Sequence, residues 1–166
     1  QSERYVHTRV GVGGRMDTLQ CAIVLAKLEH FDAEVAQRQA VARRYQDLLA
    51  PHAGNGSEHP NSDTPLQLLP WPASDRTSVF AQYTIRVRDR DTVRERLQEA
   101  GIPTAVHYPK PLNEQPAYAH LCCPGCTPVA QRLAAEVLSL PMHPGLGVQE
   151  QERVREALVT GAETAR

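Results

Sequence analysis

Arg15 is the first residue whose type and setting suggest chemistry. It follows Gly11-Val12-Gly13-Gly14; glycines let a backbone approach a ligand closely, and a planar guanidinium can grip a carboxylate or phosphate in two places. The plainer reading of the same run is a glycine-rich turn before a helix. His107 and Tyr108 form a second candidate, at the end of a short apolar stretch where function-bearing loops tend to begin. The histidine can donate a hydrogen bond or relay a proton, and the tyrosine hydroxyl can orient a polar ligand. Against this stands a strand-end histidine bonded to nearby backbone, beside a tyrosine packed at the rim.

Cys122-Cys123-Pro124-Gly125-Cys126 contains a C-x-x-C ahead of a helix start, where backbone N–H groups favour a thiolate. A redox pair is one reading, and a zinc site that recruits His120 is another. Structural zinc is usually held by two separated ligand pairs, and no second pair is present, so loop cysteines without a role are the third reading. The remaining cysteine, Cys21, falls in a helical pattern, and His52, His59 and His143 have no spaced partners. The only lysines are Lys27, within a helix, and Lys110, within Pro109-Lys110-Pro111.

Composition bounds what these residues can serve. The chain has 166 residues, 41% hydrophobic and 22% charged, enough for one packed core. Its 18 basic and 19 acidic residues nearly cancel, whereas a nucleic-acid binder usually carries a basic surplus. No apolar run reaches the ~18 residues that span a bilayer, and no signal-peptide pattern opens the chain, so a cytoplasmic location without membrane or nucleic-acid partners is expected. Four cysteines, three of them in one loop, argue for reduced thiols rather than a disulfide framework. The sequence enters ordered-looking residues directly at Gln1, as expected of a chain cut from something longer.

These candidates must be positioned by a small number of elements. From Arg15 to Ala50 there is no glycine or proline, and helix formers dominate. Val24, Leu28, Phe31 and Val35 form one apolar stripe, and Val41, Tyr45, Leu48 and Leu49 form another after a drift around the axis. An unbroken helix there would extend ~54 Å at 1.5 Å per residue, so it either breaks near His30 to Asp32 or reaches beyond its own body. Residues 51–79 hold an irregular connection with an edge strand at Leu66 to Leu69. Phe80 to Val87 alternates as a half-buried strand, with Ala81, Tyr83, Ile85 and Val87 on one face. Asp89 or Asp91 would cap a helix that buries Val93, Leu97 and Ala100 and ends at Gly101.

The strand Thr104 to His107 follows, and strand, helix, strand in this spacing fits either a parallel pair or a split β-α-β layer. Thr127-Pro128 opens a helix whose apolar face is Val129, Leu133 and Val137. Leu138-Ser139-Leu140 is a short strand, and Glu150 to Thr160 is a last helix around Val154 and Leu158. The fold class expected is α/β in the α+β sense: helices on a small, mostly antiparallel sheet, with residues 1–50 as the glycine-rich turn and connecting helix and residues 51–166 as the α/β body.

The order of motifs is more specific than any one of them. Arg4-Tyr5, Gly11-Val12-Gly13-Gly14-Arg15-Met16-Asp17 with Leu19-Gln20 and Ala22-Ile23, Gln82 to Val87, Val106-His107-Tyr108-Pro109 with Pro111-Leu112, Gln115-Pro116-Ala117-Tyr118 and Leu138 to Pro144 occur in that sequence. Nearly the whole chain thereby resembles the C-terminal part of the DegT/DnrJ/EryC1/StrS sugar aminotransferases. Within that family it is similar to members that aminate a UDP-linked 3-keto-uronic acid sugar for lipopolysaccharide O-antigen assembly.

The resemblance implies the small domain of a fold-type I enzyme dependent on pyridoxal 5'-phosphate (PLP). Glutamate would give its amino group to the cofactor, a nucleotide-linked keto-sugar would accept it, and two copies would share active sites across a homodimer interface. Arg15, His107 and Tyr108 become substrate-binding candidates, Arg15 with a fork suited to the carboxylate of a uronic acid. Gly13 stands where the family places an asparagine that reaches the cofactor phosphate, so only its backbone N–H remains for that contact. The family's Schiff-base lysine would precede Gln1, which implies no catalytic residue in this chain, no stable PLP binding by it and no transamination by it alone. The competing reading is a non-catalytic interaction module or degenerate relative, with Cys123 and Cys126 as a thiol switch.

Overall fold

A computed structural model describes residues 3–54, 60, 63–121, 123 and 125–163. The long helix-forming run breaks at Glu29-His30, giving α1 at Thr18–Leu28 and α2 at Phe31–Leu49. α1 starts at Thr18 rather than Arg15 because of a reciprocal cap. The Gln20 N–H donates to the Asp17 carboxylate at 2.8 Å, and the Asp17 N–H donates back to the Gln20 side chain at 3.2 Å. The two apolar stripes then meet different fates: α2 buries Val41, Ala42, Tyr45 and Leu49, whereas α1 buries no residue and Phe31, at the start of α2, is exposed.

Three strands, β1 at Leu66–Leu68, β2 at Tyr83–Val87 and β3 at Val137–Leu140, form an antiparallel sheet in the order β1-β2-β3. Helices α3 at Arg90–Glu99, α4 at Pro128–Glu136 and α5 at Val148–Glu163 complete the main elements, an α+β arrangement. Because side chains alternate along a strand, register decides what each face carries. Leu66 lies opposite Val87, Leu68 opposite Ile85, Ile85 opposite Leu138 and Tyr83 opposite Leu140. All are buried in one core with Tyr45, Leu49, Val93, Leu97, Val154 and Leu158 of α2, α3 and α5. Each large apolar side chain so enclosed contributes about 1.5–3 kcal/mol.

The other face of the sheet is polar. Gln67 lies opposite Arg86 and Thr84 opposite Ser139, and Arg86 pairs with Glu136 at the end of α4 at 2.7 Å. Residues 104–107 join this sheet through a single antiparallel bridge between Ala105 and Ser139. β3 therefore lies between β2 and this segment, which is the split β-α-β layout rather than an adjacent parallel pair.

Several local expectations shift. β2 begins at Tyr83, since Phe80 takes a positive φ of 44° and turns the chain before the ladder starts. Asp89 is the N-cap of α3, but it sits in the left-handed region and its carboxylate pairs with Arg88 instead of capping. The C-terminus of α3 does close on Gly101 at φ +72°, with the Gly101 N–H donating to Gln98 and the Ile102 N–H to Leu97. Ala100 is exposed at that cap, and in α4 the buried residue is Ala134, with Val129 exposed. Thr127 precedes Pro128 as expected, yet its hydroxyl donates to Asn113 at 2.8 Å rather than to the helix.

Two buried polar side chains fix α2 to the rest. The Tyr45 hydroxyl donates to the Pro141 carbonyl at 3.0 Å. Gln151, fully buried on α5, donates to the Val41 carbonyl at 2.9 Å and accepts from Arg44 Nε at 2.6 Å.

Candidate active-site face

The sequence candidates fall into two places. Arg15 lies in the exposed segment before α1 and makes no hydrogen bond or ion pair among the described residues. Gly13 is exposed two residues earlier, and a Cβ placed on it would meet nothing within 4 Å, so a side chain there has open space. Neither is brought against His107 and Tyr108 within this chain.

His107 and Tyr108 do form a built face, joined by a cis peptide bond. The His107 ring meets the Tyr108 ring edge-on at 5.6 Å, and Tyr5 packs edge-on to Tyr108 from the other side at 5.9 Å. The guanidinium of Arg4 sits 5.0 Å from the Tyr5 ring centroid. This packing needs the N-terminal arm held against the loop after Tyr108, and Gln115 does that. Its amide donates to the Tyr5 carbonyl at 3.0 Å and accepts from the His7 N–H at 3.0 Å, while the Ala117 N–H donates to the His7 carbonyl. Gln115 is buried, so losing one of its partners would cost a desolvated amide.

Beside this face opens a cavity of about 410 Å³ lined by Arg4, Tyr5, Arg90, Arg94, Val106 and Pro109, with Glu3 and Asp91 at its acidic edge. Arg90 is committed to the fold: it is buried, donates to the carbonyls of Ala134 and Val137 at 3.2 Å each and faces the Asp91 carboxylate at 2.7 Å. Arg4 and Arg94 are exposed. The arrangement can therefore offer aromatic edges, a histidine, a phenol hydroxyl and guanidinium donors to a polar or anionic ligand. The two strongly shifted phenols, Tyr45 and Tyr83, belong to the core, where burial foremost raises their pKa values well above the usual tyrosine range.

His107 is also anchored from below. Its Nδ1 lies 3.2 Å from the Ser139 hydroxyl, which in turn lies 3.0 Å from the Thr84 hydroxyl. Tyr5, Gln115, Ser139 and Thr84 were not singled out as site residues from sequence. The signal was present in that Arg4-Tyr5, Gln115-Pro116 and Leu138-Ser139-Leu140 all belong to the ordered motifs, but nothing in their spacing shows that they converge.

The cysteine loop stands apart. Cys123 and Cys126 are exposed, the Cys126 N–H reaches the Cys123 carbonyl at 3.4 Å, and Asn113 donates to Cys126 Sγ at 3.8 Å. Cys122 and Pro124 lie outside the described residues, as does His59. Among the described residues no group of three His, Cys, Asp or Glu side chains is arranged to hold a metal ion. No helix there is long and apolar enough to cross a membrane.

A Schiff-base cofactor needs an amine inside an enclosed site. Lys27 is exposed in the last turn of α1, Lys110 is half-buried between two prolines, and neither lines any of the five cavities described. The lysines of this chain do not fit the covalent role that PLP chemistry requires.

Solved structures place the fold in a class. The chain superposes on Streptomyces venezuelae DesV, solved in complex with a ketimine intermediate, with a TM-score of 0.77 at 34% identity, covering 98% of this chain and 41% of that one. A DegT DnrJ EryC1 StrS aminotransferase from Brucella abortus gives a TM-score of 0.74 at 32% identity, over 98% of this chain and 40% of that one. The fold is that of a portion of a sugar aminotransferase. The family model described as the DegT/DnrJ/EryC1/StrS aminotransferase family matches residues 1–159, and the chain belongs to that family. Among curated relatives, the UDP-2-acetamido-2-deoxy-3-oxo-D-glucuronate aminotransferase of Pseudomonas aeruginosa is 47% identical over 146 residues, 88% of this chain and 36% of that protein. The erythromycin biosynthesis sensory transduction protein EryC1 of Saccharopolyspora erythraea is 37% identical over 96% of this chain and 41% of that protein. The chain thus spans about two fifths of the length of these relatives.

Proposed function

We propose that this chain supplies the substrate-side portion of a PLP-dependent aminotransferase that moves an amino group from glutamate to a nucleotide-linked keto-sugar, in the assembly of a lipopolysaccharide O-antigen. The observation that carries the reading is the 47% identity to the Pseudomonas aeruginosa aminotransferase, whose name gives a UDP-linked 3-oxo-glucuronate as its substrate. In this reading Arg15 binds the substrate carboxylate through its two-toothed fork, and His107 and Tyr108 hydrogen-bond the sugar. PLP, when bound, supplies the electron sink for amino-group transfer, and its lysine comes from protein outside this chain. Gly13 can offer the cofactor phosphate its backbone N–H alone.

The homodimer belongs to the same proposal. Leu19, Ile23, Leu25 and Leu28 are all exposed on α1, and Val10, Val12 and Met16 are exposed ahead of it. Exposed apolar side chains in that number, spread around α1, support burial against further protein. The same burial would bring Arg15 into a site that this chain completes only in part. The glycine-rich segment and α1 are then the docking element, and α2, packed in the core, belongs with residues 51–166 to the body that presents His107 and Tyr108.

The reading is tested by titrating the isotope-labelled chain with UDP-glucuronic acid and following amide and side-chain NMR signals. Shifts concentrated at His107, Tyr108 and the Arg15 guanidinium are expected, and Arg15→Ala should weaken them. Shifts confined to residues distant from all three, or none at millimolar ligand, would overturn the assignment.

A further inference from the structure

We propose that Ser139, backed by Thr84, is a positioning residue that fixes the imidazole of His107 and leaves Nε2 as the nitrogen that meets a ligand. The inference rests on the substrate-side role proposed above for His107, and it adds two residues on a different element.

The geometry follows from strand pairing. Ser139 exchanges both of its backbone hydrogen bonds with Ala105, at 2.7 and 3.1 Å. In an antiparallel ladder a residue's N–H and C=O point to the same side, so Ser139 spends neither on β2. Its pairing with Thr84 is therefore of the non-hydrogen-bonded kind, in which the Cα atoms approach to about 4.5 Å and side chains meet. The two hydroxyls do meet, at 3.0 Å. Ala105 lies opposite Ser139, and His107 is two residues further along the chain, where period-two alternation returns its side chain to that same face. The result is a row of His107 Nδ1, Ser139 Oγ and Thr84 Oγ1 with spacings of 3.2 and 3.0 Å.

Burial makes this row consequential. Ser139 is 4% exposed, so water competes poorly for its hydroxyl. That hydroxyl has one proton to give, and Thr84 and His107 both lie within reach of it. An imidazole nitrogen accepts more strongly than an alcohol oxygen, so in this arrangement the Ser139 proton goes to Nδ1, the Thr84 hydroxyl donates to Ser139 Oγ, and the neutral ring carries its proton on Nε2. Nε2 has no protein partner among the described residues. His107 is half-buried, and its ring is flanked by Tyr108.

The test is ¹⁵N-edited NMR of the His107 ring in this chain, at a pH where the imidazole is neutral, in wild type, Ser139→Ala, Thr84→Val and Thr84→Ser. One dominant tautomer is expected in wild type and in Thr84→Ser. Loss of one net hydrogen bond should shift the tautomer ratio by roughly tenfold in Ser139→Ala. Thr84→Val, isosteric and at a half-buried site, should move it in the same direction with the fold retained. An unchanged tautomer ratio in a folded Ser139→Ala or Thr84→Val chain would overturn the inference. A parallel titration with UDP-glucuronic acid separates the two ideas: perturbation of Nε2 with unchanged tautomers rejects only the positioning role, and a fixed tautomer with no perturbation rejects only the substrate-side role.

Discussion

The stacked phenols of the core make a quantitative prediction. Tyr45 and Tyr83 are buried with ring centroids 5.0 Å apart, and burial raises both pKa values, with Tyr83 and Glu150 adding to the shift at Tyr45 and Asp47 to that at Tyr83. Their folded-state pKa values lie above the unfolded value of about 10, so the neutral form is favoured by folding. That contribution is fully present below pH 10 and is lost as pH rises, because only the unfolded chain releases the protons. Each phenol should cost about 1.4 kcal/mol per pH unit above 10, and the pair about twice that.

Tyr45→Phe separates this effect from the hydrogen bond. At neutral pH the variant loses the bond to the Pro141 carbonyl, a cost of about 1 kcal/mol. Above pH 10 it escapes one of the two alkaline penalties, which reaches the same ~1 kcal/mol near pH 10.6. Urea denaturation followed by circular dichroism from pH 7 to 11 should show wild type more stable at neutral pH and the two curves crossing between about pH 10 and 11. Curves that remain parallel to pH 11 would refute the reasoning, since they would mean that Tyr45 ionises equally in both states.

Gln151→Ala removes a fully buried amide that joins Val41 and Arg44, and it should lower unfolding free energy by about 2–4 kcal/mol in the same denaturation assay. Gly13→Asn places a side chain in open space and should change stability by less than about 0.5 kcal/mol by thermal melting. Ile23→Ser on uncovered α1 should leave stability of the isolated chain within about 0.5 kcal/mol of wild type, whereas Leu97→Ala in the core should cost about 2–5 kcal/mol by urea titration.

Much of the fold is legible in the sequence because its signals are local. The alternation at Tyr83, Ile85 and Val87 and the stripe at Val93 and Leu97 each report one face packed on one core, and these residues are buried, while Ala81 and Ala100, read onto the same faces, are exposed beyond the ends of the elements. The break between α1 and α2 was one of two outcomes expected from length, since an unbroken helix would outrun a small body, and of the two the chain takes the break at Glu29-His30. The stripe of Val24, Leu28 and Phe31 was equally visible, yet all three are exposed, so periodicity alone misassigns them to a covered face. Capping at Asp89 failed because Arg88 offers its carboxylate a competing ion pair.

The candidate face was half legible. His107 and Tyr108 stand out by type and by the prolines after them, but the residues that set them in place come from far along the chain. Ser139 reaches His107 across 32 positions and Gln115 reaches Tyr5 across 110, and such contacts exist only once register and topology are fixed. Arg15 is the converse case. Its setting was readable, and among the described residues it makes no hydrogen bond or ion pair.

The central claim is that this chain contributes substrate-binding groups and not the amine that carries the cofactor. The most direct measurement is to incubate it with PLP and glutamate, trap with borohydride, map any phosphopyridoxyl lysine by mass spectrometry and assay 2-oxoglutarate. The account predicts no stoichiometric adduct at Lys27 or Lys110 and no 2-oxoglutarate above the cofactor-only background. A stoichiometric adduct at one of these lysines, accompanied by glutamate turnover, would contradict it.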